Sequence, residues 1–274
     1  MMTDAITQNA IRALLYEAVT NPKPGLVDPV SQGPHPDMDI YMFIDSSLSL
    51  QPYFEDAVKI GKTFNDNDLT KMFSTLRTKG VLAEKAMFTA THNTNTHKGA
   101  IFALGIFACA ESYSKTKQTD LFATIRKMSK GLVEHDLVKD NQQQTAGEKE
   151  YQKYGKSGAR GEAGDGYPIV KDIALPFLKN STGDIQTRLL DTLMKIATIA
   201  SDSNLIKRAG NINVIPWLRQ HAKQYLQLGG YGTTQGKEYL LNLNKEMTKR
   251  NYSLGGCADL LIVTIFIGLE RGYL

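Results

Sequence analysis

The sequence predicts an all-α protein built as one domain, and three observations carry that reading. Apolar residues recur at steps of three and four along most of the 274 residues. Alternating strand patterns are scarce, and no low-complexity linker or internal repeat divides the chain. The domain is therefore taken as 1–274, a single helical bundle.

The elements follow in order. In "ITQNAIRALLYEAV", Ile6, Ala10, Ile11, Leu14, Leu15 and Ala18 fall on one helical face, with Thr3 as the expected cap. Further helices are expected from about Asp39 to Gly61, Leu69 to Thr89, Lys98 to Tyr113 and Leu121 to Val133. The same spacing recurs in Ile185, Leu189, Leu190, Leu193, Ile196 and Ala197, and in Tyr239, Leu240, Leu243 and Met247. The longest apolar run, Ala258 to Leu269, contains an aspartate and falls short of the ~20 residues of a membrane span. It is read as a buried C-terminal helix.

Composition narrows the partners. Hydrophobic residues make up 42% and charged residues 22%, ordinary for a folded, water-soluble chain. A net charge of +4 is too mild and dispersed for nucleic acid but suits an anionic small molecule. The cysteines, Cys109 and Cys257, each sit in an apolar run and make no disulfide framework, which points to a reducing, cytoplasmic setting. "MMTDAITQNA" has no basic region leading into an apolar one, so no signal peptide is expected. The sequence sets no oligomeric state; a homo-dimer is the assembly considered.

Polar, glycine-rich interruptions between the helices are longer than a bundle needs to turn its chain, and read as walls of a site. The first, "NPKPGLVDPVSQGPHPDMD", offers Asp28, His35, Asp37 and Asp39 on a path stiffened by prolines 22, 24, 29, 34 and 36. Closely placed carboxylates suit a hard cation such as Mg²⁺ with substrate phosphates. They equally suit helix caps. "NTHKGAIF" puts Thr96, His97, Lys98 and Gly99 at a helix N-terminus, where free N–H groups and a lysine favour an anion. "GKSGARGEAGDGYP" ends like a phosphate loop, but Glu150 stands where the first glycine belongs and no strand precedes it, so that motif fails. What remains is Arg160 and Glu162 around Gly161, with Asp165 following: a phosphate-binding arginine and a carboxylate fit for metal or proton transfer. "SDSNLIKRAG" adds Asp202, Asn204, Lys207 and Arg208, and "SLGGCAD" ends in Asp259 at the start of the last helix.

A rival constellation, His92, His97, His135-Asp136 and Asp202, resembles the metal-dependent HD phosphohydrolases, which are also helical. Its pair lies among charged neighbours, as a surface helix would. A third reading is a non-catalytic partner that binds CoA or an acyl carrier protein.

Taken together and in order, "PKPGLVD", "GPHPDMD", "NTHKGAIFALG", "GARGEAGDGYP", "DSNLIKRAG" and "SLGGCADLL" resemble the triphosphoribosyl-dephospho-CoA synthase family, from Pro22 to Leu261. The pattern departs at Pro29, Ala209 and Cys257, where no role is assigned. The resemblance implies transfer of the triphosphoribosyl group of ATP to the 2′-hydroxyl of 3′-dephospho-CoA, with loss of adenine. The product is the precursor of the prosthetic group carried by the citrate lyase acyl carrier protein; a related branch serves malonate decarboxylase. Neither nucleic acid nor membrane enters the reaction. The implied product is inverted at the anomeric carbon, so displacement is direct and no serine or cysteine nucleophile is required.

That chemistry assigns expected roles. Asp28, Asp37, Glu162 and Asp202 form an acidic cluster, with Asp37, Glu162 and Asp202 binding Mg²⁺ and one carboxylate acting as base. Lys98, Arg160 and Arg208 hold phosphates beside Gly99, Gly161 and Asn204. His35 and His97 orient groups or donate protons, and Asp259 and Asp39 rank lower.

Overall fold

The computed structural model describes residues 4–133, 155 and 158–274. Among them there are helices and turns and no strand, as the periodicity predicts. Helix α1 spans Ala5–Val19, α2 Ile40–Ser49, α3 Gln51–Thr63, α4 Leu69–Ala90, α5 Lys98–Lys117 and α6 Leu121–Met128. After the undescribed stretch come α7 (Gly158–Gly164), a π-helical turn (Ile169–Ala174), α8 (Leu175–Asn180), α9 (Ile185–Ala197) and α10 (Ser203–Ala209). The chain closes with α11 (Val214–Gln227), α12 (Thr234–Lys249) and α13 (Gly255–Glu270).

Two helices are apolar almost all round and make the centre. Every residue of α13 from Leu260 to Leu269 is buried, and α5 is buried from Ile101 to Ser112 except at Phe102. Helix α5 packs on α3, α4 and α13, while α13 also holds α1, α9 and α10. The approach of α3 to α5 is close because Gly61 carries no side chain: a Cβ there would drive into the Cys109 carbonyl. At the far end, Arg271 Nη1 and Nη2 donate to the two oxygens of Glu111 at 2.6 and 2.8 Å, pinning the end of α13 to α5.

Local chemistry adjusts several expected boundaries. The segment from Asp39 to Gly61 is two helices, divided at Leu50, because Pro52 has no N–H to carry the hydrogen-bond ladder across. Asp4 caps α1, its carboxylate accepting from Ile6 N; the expected cap, Thr3, lies outside the described residues. Helix α6 stops at Met128 rather than Val133, and Gly131, at φ 78°, then turns the chain. In α9 the expected face is buried from Leu189 to Ala197, with Ile185 left exposed at the helix start.

Candidate active site

The polar interruptions converge on two adjoining chambers between α5 and α13. The first has about 430 Å³ and is lined by Glu17, Lys23, His35, His97, Lys98 and Arg160 among others. The second has about 420 Å³ and is lined by Glu162, Asp165, Tyr167 and Asp202 with apolar neighbours such as Ile169 and Leu260. Gly99, Ala159, Asn204 and Asp259 belong to both and form the shared wall. Each chamber is of a size to hold a nucleotide-like ligand.

The first wall of the first chamber comes from the proline loop. Lys23 is 1% exposed, and its ammonium donates to Glu17 Oε1 at 2.6 Å and to the Glu17 carbonyl at 2.7 Å. Glu17 sits on the buried face of α1, so each charge is tolerable only because of the other. Asp28, expected among the catalytic carboxylates, lines neither chamber. Its Oδ1 accepts from Val30 N and Ser31 N at 2.9 and 2.8 Å, and its Oδ2 accepts from Lys23 N at 3.1 Å. Its work is to fold the loop so that Lys23 points inward.

His35 is held from both sides. Arg208 Nη2 donates to its Nδ1 at 2.9 Å, so Nε2 carries the proton and faces Ser253 Oγ at 3.1 Å. Burial and the Arg208 charge both lower its pKa, keeping the ring neutral. Arg208 itself does not line either chamber. It donates to His35 and to Pro34 O and Asn251 Oδ1, clamping the loop to the turn before α13. Its expected phosphate contact is replaced by this clamp, since the guanidinium is turned to carbonyl and imidazole acceptors.

His97 closes the floor. Thr96 Oγ1 donates to Ser46 Oγ at 2.8 Å, which leaves the Ser46 proton for His97 Nδ1 at 2.7 Å. His97 Nε2 is thus a buried N–H with no partner among the described residues. Burial, with the nearby Lys23 charge, pushes its pKa down to about 3, so it acts as a neutral donor. Lys98, at the first position of α5, pairs with Glu84 at 2.9 Å and is half exposed at the chamber's edge. Gly99 is needed for space: a Cβ there would collide with the Asp259 carboxylate. Asp259, in the second turn of α13 rather than its first, therefore faces the N-terminus of α5.

The second chamber gathers acids. Glu162 has its pKa raised to about 7, chiefly by burial, with Asp165 adding repulsion and a backbone contact from Ile169 N at 3.4 Å opposing it. Asp259 is pushed well above the usual carboxylate range by burial, then by Asp202 and Glu17. Asp202 is fully engaged between two helix ends: Oδ1 accepts from Leu205 N of α10 at 3.0 Å and Oδ2 from Cys257 N of α13 at 2.8 Å.

These positions correct the expected metal set. Asp37 is exposed and outside both chambers, Asp39 caps α2 through Met42 N at 2.9 Å, and Asp202 is a double cap. Among the described residues no three His, Cys, Asp or Glu groups come close enough to hold a metal ion. The Asp37, Glu162 and Asp202 set is therefore not assembled. His35, His97, Lys98, Gly99, Arg160, Gly161, Glu162, Asn204 and Asp259 line the two chambers. Sequence reasoning missed Glu17, Lys23 and Tyr167. The signal for Glu17 was a lone charge on the apolar stripe of α1, between Leu14 and Ala18.

With this geometry in view, residues 3–274 match the CitG family, described as ATP:dephospho-CoA triphosphoribosyl transferase. The chain belongs to that family. It is 50% identical to the probable 2-(5″-triphosphoribosyl)-3′-dephosphocoenzyme-A synthase of Lactiplantibacillus plantarum, over all of both chains. It is 48% identical to Protein CitXG of Leuconostoc mesenteroides subsp. cremoris, over all of this chain and 61% of that one. The probable synthase of Citrobacter koseri is 36% identical, over 97% of this chain and 90% of its own. No solved structure matches the chain.

This transferase is thus not an HD phosphohydrolase. Of that rival set, His135 and Asp136 lie outside the described residues, His92 is exposed at the end of α4, and His97 is committed to Ser46. No helix among the described residues is long and apolar enough to cross a membrane. Both cysteines are buried and free, and burial pushes the Cys109 thiol up to about 12, which suits a transferase without a thiolate nucleophile.

Proposed function

We propose that the triphosphate of ATP enters the first chamber, the acceptor ribose of dephospho-CoA enters the second, and the glycosidic bond breaks at the wall between them. The observation that carries this reading is the pair of similar chambers meeting at Gly99, Asn204 and Asp259. A transfer between two nucleotides needs two subsites whose reacting atoms meet without crossing water. Cations favour the first chamber for the triphosphate: Lys23, Lys98 and Arg160 line it, and the N-terminus of α5 opens onto it.

The two perturbed carboxyls then divide the proton work. Glu162, poised near neutrality, takes the proton of the attacking 2′-hydroxyl. Asp259, kept protonated, donates to the departing adenine, and its resulting charge faces the oxocarbenium character left on the ribose. His97 Nε2–H offers a second, neutral donor in the first chamber. Among the described residues no three acids, histidines or cysteines form a site for Mg²⁺ alone. The ion belongs to this reading as a companion of the triphosphate, whose oxygens supply most of its ligands. We further place the product on the path to the citrate lyase acyl carrier protein, and the enzyme in the cytoplasm, where its two free thiols stay reduced.

Incubation of the purified protein with ATP, Mg²⁺ and dephospho-CoA should release adenine only when dephospho-CoA is present, with a product that keeps all three phosphates. Release of orthophosphate without adenine would overturn the assignment.

A further inference from the structure

The second chamber has a charge composition unlike the first. Glu162, Asp165, Asp202 and Asp259 line it, and no lysine, arginine or histidine among the described residues does. It also holds an unpartnered polar group. Tyr167 is 1% exposed, and its hydroxyl makes no hydrogen bond to any described residue. Buried polar atoms in native proteins are nearly always paired, with protein, water or ligand, and one left open on a chamber wall is placed to meet whatever occupies the chamber. The backbone supports the same conclusion: Tyr167 sits at φ 54°, a left-handed conformation that is uncommon for an aromatic residue. It follows Gly166 at φ 80° and leads through Pro168 into the π-helical turn. Such strain is kept where it aims a side chain. The Phe107 ring, edge-on at 4.8 Å, fixes the plane of the tyrosine.

We propose that the second chamber reads the free 2′,3′-diol of the acceptor ribose, Tyr167 Oη hydrogen bonding to a ribose hydroxyl while the surrounding carboxylates reject a 3′-phosphate. This is how the enzyme selects dephospho-CoA over CoA. It rests on the placement of the acceptor in the second chamber. A 3′-phosphate would bring a dianion against the Asp165 carboxylate and a wall of buried acids, with no cation lining the chamber among the described residues to receive it, and unfavourable charge against the wrong ligand is an efficient source of specificity. A sugar diol, by contrast, gives hydroxyl donors to carboxylates and accepts from the tyrosine. Asp165 is the adjustable member, because it is exposed at the chamber and takes no part in the proton transfers proposed above.

The test is a comparison of dephospho-CoA and CoA in the adenine-release reaction for the wild type, Asp165→Asn, Asp165→Lys and Tyr167→Phe. Tyr167→Phe should raise the KM for dephospho-CoA about tenfold, the loss of one hydrogen bond, with the KM for ATP unchanged. Asp165→Asn should narrow the preference for dephospho-CoA over CoA about tenfold, and Asp165→Lys by more, through tighter binding of CoA. Asp165 is on the surface, so its variants fold even if Tyr167→Phe does not. A preference unmoved by both Asp165 variants overturns the proposal. So does an unchanged KM for dephospho-CoA in a folded Tyr167→Phe. Failure of the wild type to release adenine with dephospho-CoA would instead retire the functional reading beneath it.

Discussion

Glu162 loses more hydration on folding than its one long backbone contact returns, and that deficit is what makes it useful. Its proton is held in the folded state between its ordinary 4.5 and about 7, so the folded protein binds more protons than the unfolded chain across that window. Stability contributed by this group therefore falls as pH rises from 4.5 to 7, the sign opposite to that of a salt-bridged carboxylate. Glu162→Gln should be more stable than wild type at pH 8 by on the order of 1–3 kcal/mol, and nearly equal at pH 4.5, in urea titrations. The same variant should lose about 10²–10⁴ in kcat, and the wild-type kcat/KM should fall below pH 7. A second residue-scale test concerns the buried ion pair. Lys23→Met strands Glu17 and should cost about 3–5 kcal/mol, whereas Glu17→Leu with Lys23→Met should recover most of that stability while ATP affinity stays lost. The sequence made Glu162 legible through its glycine-rich surroundings. It gave little notice of Lys23, since a lysine between two prolines reads as solvent-exposed until Glu17 is placed beside it.

Helix ends decide where the walls stand. Asp202 joins the starts of α10 and α13 through one oxygen each, and these helices carry Asn204 and Asp259 into the shared wall. Asp202→Ala should cost about 1–3 kcal/mol by leaving two N-terminal amides unmet, and should lower kcat/KM as well. Asp39→Ala makes the useful contrast. Asp39 caps only α2 and lines neither chamber, so about 1 kcal/mol should be lost in thermal or urea denaturation with turnover retained. Equal loss of activity in both variants would refute the division between wall-setting and peripheral caps. From the sequence these two aspartates look alike, each preceding an amphipathic run. Only the second donor, Cys257 N from an element fifty-five positions away, separates them.

At the scale of the molecule, the adjoining chambers differ in charge: Lys23, Lys98 and Arg160 stand beside Glu17, Glu84 and Asp259 in the first, while among the described residues the second is lined by carboxyls and no cation. Divalent metal should accordingly bind only with nucleotide. In electron paramagnetic resonance titrations, Mn²⁺ alone should show no tight site, and a bound signal should appear on adding ATP. A stoichiometric site without nucleotide would contradict the placement of the ion on the triphosphate. The sequence by itself determined the fold class, because the period of apolar residues leaves helices as the element that buries them. It also marked which loops line the chambers, because glycine, proline and charge concentrate there beyond what a turn requires. The tertiary structure alone decided which acids are stripped of water in the chamber walls. A carboxylate facing solvent, one capping two helices and one stranded in a dry wall are the same letter in a sequence, and only the packing of α5 against α13 sets how much water each one keeps.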